Sequence, residues 1–150
     1  MMCVIGGLIR SPGCCYPNAV PPPSVIDPVT IASLRALNAE GDDFLREIVG
    51  LFAADIPARL AEFDQGLASG DRTRCHRAAH SIKGSSANIG ASLLTDAAAR
   101  LEERIEGFGL DGVGSLLAEV RAEAVRAQAA LAAILAGEPP APEAPHFSRK

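Results

Sequence analysis

Apolar residues recur at intervals of three and four through most of the chain, which is the spacing of amphipathic helices. The longest such pattern predicts a helix from about Asp42 to Ser69. Its apolar stripe consists of Leu45, Ile48, Phe52, Ile56, Leu60, Phe63 and Leu67. Pro57 interrupts this helix, and we expect a bend there because the proline ring opposes the carbonyl of Ala53.

Three further helices are predicted over residues 72–89, 92–106 and 113–135, separated by short breaks that contain glycine. Asp71 is the expected N-cap of the first of them. The residues expected to point inward from the other two are Leu94, Ala97, Ala98, Leu101 and Ile105, then Val113, Leu116, Leu117, Val120, Ala124, Ala127, Leu131 and Ile134. Gly107, Gly109 and Gly112 are expected to form the loop between them.

A shorter helix is predicted before these four. Asp27 is a suitable N-cap, and Pro28 suits the first turn. Its apolar face consists of Ile31, Leu34 and Leu37. Four long amphipathic helices with short loops, and no strand pattern, predict an all-α, antiparallel (up-down) four-helix bundle with a short extra N-terminal helix.

The two ends of the chain differ in composition from the helical part. Residues 1–26 contain five prolines and predict a flexible tail, residues 27–136 form the bundle, and residues 137–150 form a flexible tail rich in Pro and Ala. The apolar start at residues 1–9 is short and lacks a basic segment, so we do not interpret it as a signal peptide. A misassigned start codon, or an anchor for a membrane or a partner, remains an alternative.

Composition narrows the possible functions. The chain is 48% hydrophobic but only 4% aromatic, so the core is expected to be aliphatic. A net charge of −4 argues against a nucleic-acid partner, and the lack of a run long enough to cross a membrane indicates a cytoplasmic protein. Among the four cysteines there is no Cys-x-x-Cys pair, and Cys75 is expected to be buried. The adjacent pair Cys14 and Cys15 has no evident role.

The helix predicted over residues 72–89 presents a histidine to solvent. At about 100° per residue, its apolar residues cluster roughly 160–220° away from His80. On this projection, the face predicted to be buried consists of Cys75, Ala78, Ala79, Ile82, Ser86, Ile89 and Leu93. An exposed imidazole can accept a phosphoryl group and release it again, since its nitrogen is both a nucleophile and a leaving group.

The neighbours of His80 suit this chemistry. Lys83, three residues on, can place a positive charge beside phosphoryl oxygens. Gly84, four residues on, leaves the histidine uncovered, because helical side chains lean toward the N-terminus. Ala87 extends this open surface, where a second protein could dock, and His76 is expected to border it.

The run from His80 to Gly90 resembles the histidine-containing phosphotransfer (HPt) domain family of bacterial phosphorelays. The family pattern is His-x-x-Lys-Gly-x-Ser-x-x-x-Gly, and this chain matches it with His80, Lys83, Gly84, Ser86 and Gly90. Together with the flanking helices, the resemblance covers roughly residues 27–136. It implies that the histidine carries the phosphoryl group, the lysine steadies it, the first glycine admits the partner, and the serine and second glycine are packing positions.

The resemblance also implies the partners. The phosphoryl group is expected to come from the receiver domain of a hybrid histidine kinase and to pass to the aspartate of a response regulator. Magnesium is expected on the receiver, and no cofactor on this chain, which we expect to be monomeric. No ATP-binding motif is present, so the chain is not expected to be a kinase.

Two alternatives remain open. The bundle could bind or sequester a receiver without carrying phosphate. His76 and His80 also have the i, i+4 spacing that can hold a metal. The outer face of their helix has no Glu, Asp or Cys nearby, so the sequence predicts no metal site. If a site existed, zinc would raise the melting temperature and His76→Ala would remove the effect.

Overall fold

The computed structural model describes residues 24–37 and 41–137, and it contains five helices. The helices are α1 (Pro28–Ala36), α2 (Asp43–Ser69), α3 (Arg72–Ile89), α4 (Ser92–Phe108) and α5 (Gly114–Ala136). No strand occurs within these ranges, so the predicted all-α class is confirmed. Most of the two predicted tails, residues 1–23 and 138–150, lies outside the described residues.

The four long helices form the predicted bundle. Helices α2, α3 and α4 each pack against the helix that follows in the chain, and α5 also packs against α2. Helix α1 contacts both α2 and α3. The short connections between the long helices make consecutive helices antiparallel. The core is aliphatic, with two buried phenylalanines, Phe52 and Phe63. Residues from α3, α4 and α5 contribute most of the fully buried side chains, and these include Ile82, Ile89, Leu94, Leu101, Ile105, Val120 and Leu131.

The ends of α3 agree with the sequence to the residue. The Asp71 carboxylate accepts a hydrogen bond from the backbone N–H of Arg74, as an N-cap does. Gly90 ends the helix with a left-handed backbone (φ 76°). Asp27 caps α1 in the same way, through the backbone N–H groups of Val29 and Thr30. Each of these caps satisfies backbone N–H groups in the first turn of its helix.

The helix boundaries and the packing differ from the sequence prediction at a few positions. Helix α4 continues through Gly107 and ends at Phe108, two residues later than predicted. Leu67 and Leu37, predicted to point inward, are exposed. Near the end of α2 the inward position belongs to Gly66, where a Cβ would lie 2.8 Å from Cys75 Sγ. The close approach of α3 therefore decides which residue faces inward.

Apolar packing begins before α1. Ile26 is buried and Val25 packs against the core, although both fall in the stretch predicted as a tail. The backbone N–H of Asp27 donates to the carbonyl of Gly90, which ties this segment to the end of α3. Helix α2 continues through Pro57. None of the described helices is long and apolar enough to cross a membrane.

Candidate functional site

Helix α3 packs between α2 and α4 and leaves one face open to solvent. Six of the seven residues predicted for its inner face are completely buried, namely Cys75, Ala78, Ala79, Ile82, Ser86 and Ile89. The seventh, Leu93, belongs to α4 and is half-buried. His80 lies on the opposite side, and its side chain is 65% exposed. The predicted orientation of the histidine is therefore confirmed, on a helix fixed from both sides.

A glutamate from the neighbouring helix lies beside His80. Glu102 on α4 places Oε1 at 2.6 Å from His80 Nδ1, and its Oε2 accepts a hydrogen bond from Lys83 Nζ. The Glu102 side chain is only 9% exposed, whereas Lys83 is half-buried. One carboxylate thus positions both the histidine and the lysine of the motif.

This contact determines the protonation of the imidazole ring. An ionised carboxylate only accepts hydrogen bonds, so Nδ1 of His80 must carry the proton that joins it to Glu102. In the neutral ring the lone pair then lies on Nε2, the nucleophilic nitrogen. Within the described part of the chain, Nε2 makes no hydrogen bond. The site therefore holds a nucleophile with a defined tautomer.

Glu102 is held in its ionised form. Burial raises the pKa of this carboxyl, but the hydrogen bonds from Lys83 and His80, together with their charges, lower it further than burial raises it. The net result is a pKa below the ordinary value of a glutamate. Near neutral pH the carboxylate is therefore available as an acceptor to both partners.

His76 lies one turn before His80, and their rings are stacked with centroids 6.4 Å apart. Its Nε2 lies 2.8 Å from Glu106 Oε1 and 3.6 Å from Glu102 Oε1. The sequence argument that no carboxylate lies near this histidine pair is wrong. It considered only the outer face of α3, and both glutamates come from α4.

The two small residues of the predicted docking surface are exposed. A Cβ added at Gly84 would meet nothing within 4 Å, so the surface beside His80 is open. Ala87 is exposed one turn further along the helix. Among residues 24–37 and 41–137, none outside the adjoining turns of α3 lies within 4 Å of a Cβ added at Gly84, which leaves a path to the histidine.

The other two motif residues are buried and have structural contacts. The Ser86 hydroxyl donates to the carbonyl of Ile82. Gly90 has a positive φ, and a Cβ there would lie 2.8 Å from Thr30 Cβ. Any side chain at residue 90 would therefore strain the turn and press against α1.

Glu102 is the site residue that the sequence argument missed. It follows Leu101 and lies four residues after Ala98, at the edge of the inward face of α4. A charged residue at such a position calls for a partner, because an unpaired buried charge is costly. That signal was available in the sequence, but its partners, His80 and Lys83, lie on another helix.

Comparison with known proteins agrees with the geometry of this site. The family model described as Hpt domain matches residues 47–137, which is more than half of the chain. The chain belongs to the Hpt domain family. A phosphotransfer function in two-component signalling follows from this membership.

A solved structure supports the assignment to the Hpt family. The bundle is similar to the crystal structure of histidine-containing phosphotransfer protein B (HptB) from Pseudomonas aeruginosa PAO1, with a TM-score of 0.68 and 25% sequence identity. The match covers 77% of this chain and 97% of that chain. No curated protein sequence matches the chain. The Hpt match begins at residue 47, so α1 precedes the stretch matched by the family model.

Proposed function

We propose that this Hpt protein carries a phosphoryl group on Nε2 of His80. The group comes from the aspartyl phosphate of a receiver domain in a hybrid histidine kinase and passes to the aspartate of a response regulator. The observation that carries this proposal is the contact between Glu102 and His80 Nδ1. It orients an exposed imidazole and leaves its other nitrogen free to react.

The transfer step balances without a further reactant. The Nε2 lone pair attacks phosphorus in line, the bond between phosphorus and the aspartate oxygen breaks, and the aspartate leaves as a carboxylate. The ring becomes a cationic phosphoimidazole because Nδ1 keeps its proton. Glu102, already in contact with Nδ1, offsets this positive charge. Transfer to the second aspartate reverses the same step.

Lys83 is proposed to steady the phosphoryl oxygens. Its ammonium group lies beside the histidine because both are held by Glu102. A compact point charge suits phosphoryl oxygens, whose negative charge is spread over three atoms.

Docking is proposed to take place over Gly84 and Ala87, with His76 at its border. Both small residues are exposed, so a partner can approach the helix backbone closely. The magnesium ion and most of the catalytic groups belong to the receiver in this proposal. The Hpt protein itself acts as a cytoplasmic monomer, without a kinase activity of its own.

A second candidate function is a module that binds or sequesters a receiver without carrying phosphate. The same open surface around Gly84 would serve it. It gives no role to the orientation of His80 by Glu102, and for that reason we favour the carrier.

The test is transfer from a phosphorylated receiver domain of a hybrid kinase from the same organism. We expect an acid-labile, base-stable label on the wild type and none on His80→Gln, which should remain folded because the side chain is exposed. His76→Gln is the matched control, since it removes the neighbouring histidine of α3 and must still become labelled. Binding of a receiver without any label would favour sequestration instead.

A further inference from the structure

Three potential metal ligands meet beside the phosphoacceptor site. One is an imidazole nitrogen of His76, and the other two are carboxylate oxygens of Glu102 and Glu106. All three atoms lie within 4.8 Å of one another. The two glutamates are four residues apart on α4, so one rigid helix holds both, and α3 supplies the histidine.

The spacing of these atoms is close to that of a zinc coordination shell. Zinc binds nitrogen and oxygen at about 2.0–2.2 Å, so its tetrahedral ligands lie roughly 3.3 Å apart. His76 Nε2 is 2.8 Å from one glutamate oxygen and 3.6 Å from the other. The third pair of ligand atoms, from the two glutamates, also lies within 4.8 Å, so all three atoms can converge on one ion when the side chains adjust.

The donor set also indicates which class of ion fits. One imidazole and two carboxylates suit zinc and similar transition metals, whereas magnesium prefers oxygen ligands and retains its waters. Three protein ligands leave a fourth position open, as in many zinc sites that keep a water. The site would therefore discriminate against the magnesium ion expected on a receiver domain.

We propose that His76, Glu102 and Glu106 form a site for a divalent transition-metal ion such as Zn²⁺, and that its occupation slows phosphotransfer through His80. The second half rests on the proposed function. The link is Glu102 Oε1, which lies within reach of both histidines. A metal that takes this oxygen removes it from His80 Nδ1, and the ring loses both its orientation and the charge that offsets the phosphorylated state.

The first test measures binding alone. Zinc is titrated calorimetrically into the full chain, in a background where Cys3, Cys14, Cys15 and His146, which lie outside the described residues, are replaced by serine or alanine. Cys75 needs no replacement because it is buried, and burial raises the pKa of its thiol. We expect one zinc ion per chain.

Variants then locate the site. His76→Ala and Glu106→Gln should each weaken zinc binding by at least about tenfold, since each removes one of three ligands. Glu103→Gln removes the same charge from an exposed neighbouring position of α4 and should leave the affinity unchanged. Absence of binding, or binding that His76→Ala and Glu106→Gln leave intact, overturns the site.

The second test measures transfer from a phosphorylated receiver in excess magnesium, with and without zinc. Phosphotransfer to the wild type should slow as zinc is added. Phosphotransfer to Glu106→Gln, measured against the rate of the same variant without zinc, should not slow. Equal inhibition of both proteins would place the effect on the receiver and overturn the regulatory half. If no protein is ever labelled, the proposed function fails, yet the calorimetric result on the metal site stands by itself.

Discussion

Glu102 Oε1 on α4 lies 2.6 Å from His80 Nδ1 on α3, so the proposed nucleophile is oriented by a residue 22 positions further along the chain. The sequence motif of the family lies within α3 and its C-cap, Gly90, whereas the site depends on two helices. Helix α4 supplies the carboxylate that selects the tautomer of the imidazole and also holds Lys83.

Removing this carboxylate should slow phosphotransfer without unfolding the bundle. A hydrogen bond to a charged group is worth about 1.5–3 kcal/mol, so Glu102→Ala should slow transfer by roughly 10–100-fold. Glu102→Gln keeps a hydrogen-bond acceptor but loses the charge, so its transfer rate should lie between those of the wild type and Glu102→Ala. Stopped transfer reactions provide the rates, and thermal melts monitor the fold. Glu103→Gln is the charge-matched control, and a Glu102→Ala rate equal to that of the wild type would contradict the positioning role.

The same carboxylate predicts a dependence of stability on pH. Its pKa is lowered in the folded protein, so the folded state binds a proton at Glu102 less readily than the unfolded chain does. The resulting stabilisation is present above the unfolded pKa and is lost as pH falls through the folded pKa. In urea unfolding, the wild type should therefore lose stability relative to Glu102→Gln below about pH 4.5. A difference that stays constant down to about pH 3 would show that folding does not lower the pKa of Glu102.

Gly84→Leu should separate stability from docking. Glycine is roughly 0.8–1 kcal/mol less favourable in a helix than alanine, and leucine is close to alanine. An added Cβ at residue 84 meets nothing within 4 Å, so the melting temperature should rise. Transfer should nevertheless fall sharply, because the new side chain covers the approach to His80. The control is Gly50→Leu, at an exposed glycine of α2 that also faces open space. It should stabilise the protein to a similar extent and transfer at the rate of the wild type. Normal transfer by Gly84→Leu would remove the access role of the glycine.

Gly90→Ala should destabilise the protein more than Gly70→Ala. Both glycines end a helix with a positive φ, which costs an alanine about 1–2 kcal/mol. Only at Gly90 would the added Cβ also lie 2.8 Å from Thr30, whereas at Gly70 it meets open space. The excess loss in urea unfolding therefore measures how firmly α1 is docked. Equal losses of stability in the two variants would mean that α1 shifts away from the added Cβ without a cost in free energy.

The helices were predictable because their signals are local. The Asp71 cap, the Gly90 terminus and the buried face between them define α3 within 20 residues of sequence. Leu67 was predicted wrongly because periodicity alone does not distinguish it from Gly66 near the end of α2. Which of the two residues faces inward depends on a tertiary contact, the close approach of Cys75 from the next helix.

The site was predictable only as far as one helix reaches. The exposure of His80 and the open space at Gly84 follow from the pattern of α3. The contact between His80 and Glu102 does not follow from that pattern, because the relative rotation of α3 and α4 depends on how their side chains pack. The same limitation hid Glu106 from the argument about His76.

Lys83 already has an anionic partner before any phosphoryl group arrives, since Glu102 engages it in the resting protein. In the proposed carrier, the ammonium group is therefore shared between a permanent carboxylate and a transient cargo. A lysine without that partner would hold the phosphorylated imidazole more tightly and make it a poorer donor. In this proposal, the sharing of Lys83 with Glu102 favours onward transfer of the phosphoryl group to the second aspartate.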